Sequence, residues 1–256
     1  MTGNSSPIVR RPLRAYLLWL VLATLLPGAV GASLLFVHQY QKARAQIERN
    51  TLQTVRALVH STDNKLRQAQ SIAQTLSTID ALEAGDFARV HRQAREALAL
   101  AGGRMSVVLR DRSGQQLLHT AVDYGTPLPR EPSPSVDRIF ATGAPMVSDV
   151  FRGALRKEYI ASVDVPVRIG GEVRYVLSIG MVTDDFNGLL TPQSVPEGAV
   201  ASLFDRKGIT FNRNINRDTS VGKPVNPLLG SAASRQTEGT IDSRSVSYTH
   251  LTLPTI

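Results

Sequence analysis

Six polar and aromatic side chains stand where the strands and loops of a mixed sheet would bring them around one small molecule. They are Tyr124, Asp149, Phe151, Arg152, Tyr159 and Asp164. Arginine offers a planar fork of donors to a carboxylate or phosphate, aspartate can hold an amine, and aromatic rings enclose an apolar body. These residue types predict noncovalent ligand binding. A structural alternative stays open for each, with Phe151 in the core and Asp149 and Arg152 as a solvated ion pair.

Catalytic and metal chemistry have little support in the sequence. The 256 residues include no cysteine, which excludes a disulfide scaffold, a cysteine-ligated zinc module and a thiol enzyme. The common hydrolase, phosphate-binding and kinase motifs are missing, and the histidines lack the spacing of a metal site. Asp184 and Asp185 are expected to cap a short helix rather than to bind a cation. We therefore expect no catalytic residues, no metal and no cofactor in this chain.

The elements that position these side chains begin with a membrane segment. Residues 15–37 carry no charge, and about 20 apolar residues span a bilayer. Arg10, Arg11 and Arg14 precede it without any acidic residue, so the positive-inside rule places residues 1–14 in the cytoplasm. A cleaved signal peptide is the alternative, but the apolar run is longer than a signal core. The sequence predicts an uncleaved anchor in the inner (plasma) membrane, with the remaining chain periplasmic or extracellular.

The charge balance narrows the choice of partners. The chain has 29 basic and 21 acidic side chains, which gives a formal net charge of +8. The surplus is spread along the chain rather than gathered in one run. Attraction to anionic lipid or to acidic ligands is therefore expected, and a nucleic-acid partner is not.

A long helix is predicted over residues 38–84, because no Gly or Pro interrupts the chain from Tyr40 to Leu82. Steps of three and four residues place one stripe on its surface. The stripe consists of Leu52, Val55, Val59, Thr62, Leu66, Ala69, Ala73 and Leu76. Two interpretations stay open: the stripe packs against its own domain, or at least its membrane-proximal half forms a dimer seam.

The rest of the chain alternates helical and strand patterns. Gly85 and Asp86 open a second helix that ends at Gly102. Further elements are predicted as strands over 105–109, 115–120, 159–169 and 173–181, with a short helix over 135–141. Pro166 argues for an edge position or a bulge in the third of these strands.

An internal repeat is the most informative feature of the sequence. Leu109-Arg-Asp-Arg-Ser-Gly114 returns as Leu203-Phe-Asp-Arg-Lys-Gly208, at an offset of 203 − 109 = 94. A second echo relates Gly125-Thr-Pro-Leu128 to Gly222-Lys-Pro-Val225, at an offset of 97. Two matches in the same order predict a duplicated mixed α/β unit.

This arrangement resembles the double Cache sensor domains, the PAS-like extracytoplasmic domains of bacterial membrane receptors. The resemblance covers residues 15–244 and is strongest to the sensor regions of histidine kinases. It implies an α+β fold with one transmembrane helix, a long stalk helix and two tandem lobes with antiparallel sheets. The membrane-distal lobe would cover residues 85–190, and an incomplete membrane-proximal lobe would cover residues 191–244.

The resemblance also implies a function. The distal lobe of that family binds a small molecule, and helix displacement in a homodimer carries the signal across the membrane. The chain is then the input half of a histidine kinase that lacks its catalytic half. Input to a diguanylate cyclase or a chemoreceptor remains an alternative, as do an anchored exported enzyme and a structural coiled coil. The aromatic cluster of the amino-acid-binding subset is missing, because Trp19 is the one Trp and lies in the membrane segment.

The last residues have an unusual sequence. Residues 246–255 can be encoded by a transposase adapter used in DNA sequencing, read in frame. We expect residues 245–256 to be an adapter-derived artefact that interrupts a strand beginning near Gly239, and the natural protein to continue further.

Overall fold

The structure is a computed structural model that describes residues 13–191, 193–196, 199–233, 238–241 and 249–252. Its internal contacts divide the chain into two units, Met1–Leu52 and Gln53–Ile256. Helix α1 spans Leu13–Ser77 and passes from the first unit into the second.

The first unit consists of the N-terminal part of α1. Its apolar side chains, such as Trp19 and Phe36, are exposed, and by length and composition this helix can cross a membrane. The expected cytoplasmic position of residues 1–14 rests on Arg10 and Arg11, which lie outside the described residues. The orientation of the anchor therefore stays a prediction.

The second unit contains five further helices and ten strands among its described residues. The helices are α2 (Asp80–Glu83), α3 (Phe87–Ala101), α4 (Pro134–Thr142), α5 (Arg217–Ser220) and α6 (Pro227–Ala233), and a 3₁₀ helix covers Thr183–Leu189. The strands are β1 (Ser106–Arg110), β2 (Gln116–His119), β3 (Met146–Val147), β4 (Phe151–Arg152), β5 (Tyr159–Ile169), β6 (Glu172–Val182), β7 (Ser202–Phe204), β8 (Thr210–Arg213), β9 (Glu238–Ile241) and β10 (Thr249–Thr252).

The helix boundaries follow local capping chemistry. The carboxylate of Asp86 accepts a hydrogen bond from the backbone N–H of Arg89 and begins α3, as the sequence predicts. Gly102 ends that helix with a φ of 71°. The long helix is shorter than expected, since α1 ends at Ser77 and the separate short helix α2 follows.

The central sheet is antiparallel and has the strand order β2-β1-β6-β5-β3, with β4 also paired to β5. The longest pairing joins β5 to β6 through the turn at Gly170 and Gly171. The short strand β3 pairs with Val163 and Asp164 of β5 but does not reach Pro166. On that side, the described chain has no strand that would need a hydrogen bond from the N–H that proline lacks. The register shifts one residue later, between Val167 and Arg168. The expectation of an edge or bulge position for Pro166 is confirmed.

The main core lies between one face of this sheet and the helices α1 and α3. Side chains from every second position of β1, β5 and β6 meet the stripe of α1. The core residues are Leu66, Ala69, Ala73, Leu76, Val90, Ala94, Val107, Leu109, Val163, Val165, Leu177 and Ile179. The C-terminal half of the stripe therefore packs within its own domain. A dimer seam along the membrane-proximal half stays a prediction.

The sequence repeat is a structural repeat. In each copy, Oδ1 of the aspartate accepts hydrogen bonds from two backbone N–H groups of its own turn. The donors to Asp111 are Ser113 and Gln115, and the donors to Asp205 are Lys207 and Ile209. The glycine that closes each turn has a positive φ. Both hairpins carry a bulge at the corresponding position, so the offset of 94 is confirmed.

The second sequence match, between residues 125–128 and 222–225, does not correspond to a structural match at the predicted offset. Glu131 donates its N–H to the carbonyl of Gly114, and Val225 donates its N–H to the carbonyl of Gly208. The structurally equivalent pair is therefore Glu131 and Val225, at an offset of 225 − 131 = 94. The offset of 97 is wrong, because the Gly-x-Pro residues that suggested it are not the residues that occupy equivalent positions in the two copies. The backbone hydrogen bonds define those positions.

The C-terminal region forms a separate two-stranded sheet in which β9 pairs antiparallel with β10. The strand expected near Gly239 is thus present. Residues 245–248 and 253–256 lie outside the described residues, and the adapter origin of residues 245–256 stays a prediction.

The tight packing of α1 on the sheet gives a testable expectation. Ala73 is fully buried, whereas the adjacent Gln74 is exposed. Ala73→Leu adds three carbons to a filled core, so we expect it to lower the free energy of unfolding by about 1–3 kcal/mol. Chemical denaturation measures this change, with Gln74→Leu as the control. Equal stability of the two variants would contradict the packing of this face.

Candidate ligand-binding site

A cavity lies on the sheet face opposite the helical core. Because successive strand residues point to opposite faces, Val107 and Leu109 contact the helices, whereas Ser106, Val108 and Arg110 face the cavity. β5 and β6 contribute small side chains to the same face. The lining residues from the sheet are Ser106, Val108, Arg110, Gln116, His119, Ile160, Ser162, Ser178, Gly180 and Val182.

A single segment closes much of the cavity. Phe151 in β4 and residues 153–156 after it line the space, and Glu131 adds a carboxylate. The cavity is about 30 Å³. That volume holds about two water molecules, so the segment leaves little free space above the sheet.

Arg110 is the central charged group of the cavity and is 6% exposed. Its Nη1 donates to Oγ of Ser178 at 2.9 Å, and its Nη2 lies 3.5 Å from Oε2 of Glu131. Its buried Nε–H has no hydrogen-bond partner among the described residues. A guanidinium has five donors, and one left unpaired in a buried site is costly unless a ligand or water accepts from it.

Gln116 lies directly opposite Arg110 in the β1–β2 register and is 4% exposed. Its Nε2 donates to Oε2 of Glu131 at 3.0 Å, so this carboxylate joins the two side chains. Its Oε1 is buried, and the described part of the chain gives it no donor. The cavity therefore holds one unpaired donor and one unpaired acceptor on neighbouring strands.

His119 lines the same cavity as a neutral donor. The backbone N–H of Ala121 donates to its Nδ1 at 3.1 Å, which leaves the proton of the neutral ring on Nε2. Burial, together with the positive charges of Arg110 and Arg156, lowers the pKa of His119 to about 4. The ring is therefore uncharged at neutral pH, and the fixed positive charges at the cavity are the two arginines.

Two of the predicted site residues line cavities. Phe151 lines the closed cavity beside Arg110. Tyr124 is 50% exposed and lines a second, more open cavity of about 180 Å³ beyond β2, with its ring centroid 5.9 Å from that of His91. Gln116 and His119 line both cavities.

The other predicted residues line neither of these two cavities. Arg152 is exposed, and its Nε donates to the carbonyl of Lys157 at 2.9 Å. Asp149 forms ion pairs with Arg206 and Lys207, and the Tyr159 ring packs against Gly222, where a side chain would collide with it. Asp164 is 1% exposed, with an Oδ1 that is unpaired within the described chain, but it is not among the lining residues. Their roles in ligand binding stay predictions.

Sequence reasoning missed Arg110, Gln116, His119 and Glu131. The signal was present in part, because Arg110 directly precedes the repeated turn and alternates with apolar strand residues. A charged residue at an inward position of a buried strand is a candidate binding group. The distance in sequence between Glu131 and Arg110 hid their pairing.

Asp184 and Asp185 do not cap a helix, which corrects the sequence prediction. The 3₁₀ helix that contains them has Val182 as its N-cap, without a side-chain hydrogen bond. Asp184 instead accepts from Arg217 of the second lobe and, at 2.7 Å, from Arg104. Hydrogen bonding from Arg217 holds the pKa of the Asp184 carboxyl below its usual range, although burial opposes this shift.

Comparisons with known proteins agree on the fold. No protein-family model matches the chain, and the comparison with curated proteins gives no match. An extracellular ligand-binding receptor from Desulfohalobium retbaense has a TM-score of 0.54 at 17% identity, and the match covers 73% of this chain and 35% of that one. The Tlp3 chemoreceptor domain of Campylobacter jejuni with L-valine gives 0.53 at 12%, covering 77% and 83%. The sensor domain of the V. cholerae histidine kinase DctB gives 0.52 at 14%, covering 77% of each chain.

The described chain thus has the mixed α/β, PAS-like fold of the extracellular Cache-type sensor domains. The fold class predicted from the sequence is confirmed: a long N-terminal helix is followed by antiparallel sheets. The likeness at these identities concerns the fold, and the chemistry of the cavity is this chain's own.

The half-buried, neutral ring of His119 makes stability depend on pH. The unfolded chain, with a histidine pKa near its usual 6.5, binds more protons than the folded chain down to about pH 4. Stability is therefore full above about pH 6.5 and falls as the pH decreases towards 4. We expect His119→Asn to reduce this fall, measured as the thermal midpoint between pH 7.5 and 4.5.

The exposed His60 of α1 supplies a matched control. His60→Asn makes the same substitution at an exposed position, so its pH profile should follow that of the unchanged chain. If His119→Asn has the same slope as His60→Asn, the burial of a neutral His119 is contradicted.

Proposed function

We propose that this chain is the extracytoplasmic small-molecule-sensing module of a membrane-anchored receptor, and that its distal lobe binds a small carboxylate. The observation that carries the proposal is the buried Nε–H of Arg110, a residue that lines the cavity, because this donor has no partner among the described residues. A carboxylate oxygen is the acceptor that this donor lacks, and charge-assisted bonds of this kind are strong in a dry site.

The charge balance of the cavity favours an anion. Arg110 and Arg156 contribute two positive charges, and the neutral His119 adds a donor without an opposing charge. Glu131 is the one acidic side chain among the lining residues described, and Arg110 and Gln116 already engage it. A carboxylate would therefore restore neutrality, whereas a cationic ligand would meet two arginines.

The unpaired Oε1 of Gln116 adds a second requirement. A ligand that pairs both Arg110 and Gln116 needs an acceptor and a donor close together, as in a hydroxy or amino carboxylate. The cavity of about 30 Å³ limits such a ligand to a few non-hydrogen atoms unless residues 153–156 move outward.

The second lobe provides an internal comparison. At the offset of 94, the positions of Arg110, Gln116 and Glu131 correspond to Phe204, Thr210 and Val225. The second copy thus has the hairpin without the charged groups. Recognition of an anion is therefore assigned to the distal lobe.

The structural neighbours support the sensing role. The Tlp3 neighbours are described in complex with L-valine and with isoleucine, and such ligands carry a carboxylate. The DctB neighbour is the sensor domain of a histidine kinase, which supports the input half of such a kinase as the parent. Chemoreceptor or diguanylate cyclase output is the alternative, and the Tlp3 neighbours favour the first of these.

The remaining parts of the proposal concern the membrane. The apolar part of α1 would anchor the chain in the inner membrane, with its N-terminus in the cytoplasm and its sensor domain outside. A homodimer through the membrane-proximal half of the stripe would transmit the signal by helix displacement.

Titration calorimetry of the purified chain with acetate, lactate and acetamide tests the proposal. We expect acetate or lactate to bind and the uncharged acetamide not to bind. Arg110→Lys keeps the charge but loses the planar fork, so it should weaken binding about 10-fold or more. Arg156→Gln should weaken it less, because that side chain is exposed.

Controls separate this site from general charge effects. Arg92→Gln removes one positive charge on an exposed position of α3 and should leave affinity unchanged. Arg152→Ala tests the sequence-predicted site in the same assay, with a tenfold loss expected if Arg152 contacts the ligand. Binding that is equal in Arg110→Lys and Arg92→Gln would contradict the assignment to this cavity, and turnover of a ligand would favour an enzyme.

A further inference from the structure

The repeated turn of the second lobe contacts the first lobe next to the ligand cavity. Val150 donates its backbone N–H to Oδ2 of Asp205 at 2.9 Å. Arg206 donates from Nη2 to the carbonyl of Val147 at 2.6 Å. Asp149 lies 3.2 Å from Nζ of Lys207 and 3.7 Å from Nε of Arg206. Every residue from 147 to 150 except Ser148 therefore has a partner in this turn.

The two oxygens of the Asp205 carboxylate have separate tasks. Oδ1 accepts from the N–H groups of Lys207 and Ile209 and builds the turn itself. Oδ2 accepts from Val150 of the other lobe. In the first copy, Oδ1 of Asp111 builds the same turn, and the described structure gives its Oδ2 no such interlobe partner. The interlobe bond is thus additional to the turn.

The contacted segment, residues 147–150, leads directly into Phe151 and residues 153–156, which we call the cover of the cavity. Ser148 is fixed to the sheet, because its N–H donates to the carbonyl of Ser162 at 2.8 Å. Val150 immediately precedes Phe151, the first residue of the cover to line the cavity. β4 contains two residues, so few ladder bonds hold the cover beyond this point. The turn of the second lobe supplies the fixed point from which the cover begins.

We propose that Asp205 and Arg206 of the second lobe are positioning residues for the ligand cavity of the first lobe. They hold residues 147–150 so that Phe151 and residues 153–156 close over Arg110. The inference rests on the proposed function, because it concerns the site at which the carboxylate binds. Ligand binding and docking of the turn would then favour one another, and this coupling is reciprocal.

Asp205→Asn is the most selective variant. Asparagine also builds this kind of turn through its carbonyl oxygen, and its amide group then faces the N–H of Val150 as a donor against a donor. The variant should therefore keep the hairpin and lose the interlobe bond. An unchanged thermal midpoint, within the error of the measurement, confirms that the fold persists.

The first measurement uses no ligand. Hydrogen exchange of the full chain in detergent micelles should show about tenfold faster exchange of the Val150 amide in Asp205→Asn, with residues 151–157 also less protected. The amides of β1 and β6 should be unchanged. If the exchange of Val150 is not faster, the positioning role is overturned whatever the ligand.

The second measurement uses acetate and lactate, by calorimetry. We expect Asp205→Asn and Arg206→Gln to weaken binding about 3- to 10-fold, and Arg206→Lys to retain most of the affinity. Lys223→Gln is the matched control, since it removes one exposed positive charge from the same lobe. If Lys223→Gln weakens carboxylate binding as much as Arg206→Gln does, the proposal is overturned in favour of a general charge effect.

The two proposals fail in different ways. If the unchanged chain binds acetate or lactate and Asp205→Asn binds it equally despite faster exchange of Val150, the positioning role is overturned and the carboxylate site stands. If the unchanged chain binds neither carboxylate, the proposed function fails and the positioning role falls with it. Faster exchange together with weaker binding supports both.

Discussion

Successive side chains of β1, β5 and β6 point to opposite faces of the central sheet, and the rest of the domain depends on this alternation. One face carries Val, Leu and Ile side chains that bury against α1 and α3. The other face carries serines, Gly180 and Arg110 around the cavity, while Val176 packs there with Val136 and Ile139 of α4. The same strands thereby support a packed core on one side and a cavity on the other, and neither could shift register without exchanging the two faces.

Arg110 shows how this domain tolerates a buried charge. Ser178 accepts a hydrogen bond from one terminal nitrogen, Glu131 forms an ion pair with the other, and Gln116 donates a hydrogen bond to Glu131. Such pairing makes the burial possible without making it a large source of stability. The Nε–H has no partner among the described residues, and a bound carboxylate would supply an acceptor for it. Binding and local stability would then be linked in the same side chain.

The repeated hairpin shows one local solution serving two purposes. In both copies an aspartate accepts hydrogen bonds from the backbone of its own turn. This local requirement alone explains why the two turns have similar sequences. The surroundings differ: the first turn follows the arginine of the cavity, while the second docks on the segment that covers it. The ion pair of Asp184 with Arg217 is a second contact between the parts of the chain that carry the two turns.

The sequence by itself determined the elements whose causes are local. The apolar helix, the cap at Asp86, the strand alternation, the constraint at Pro166 and the offset of 94 between the two turns all depend on nearby residues, and the fold class follows from their order. The tertiary structure alone decided which side chains share the cavity. Arg110, Gln116 and Glu131 meet because strand pairing and a long loop bring distant residues together, whereas Asp149 and Tyr159 meet the second lobe. Composition and spacing carry no information on such pairings, since contacts between distant segments depend on how whole elements pack.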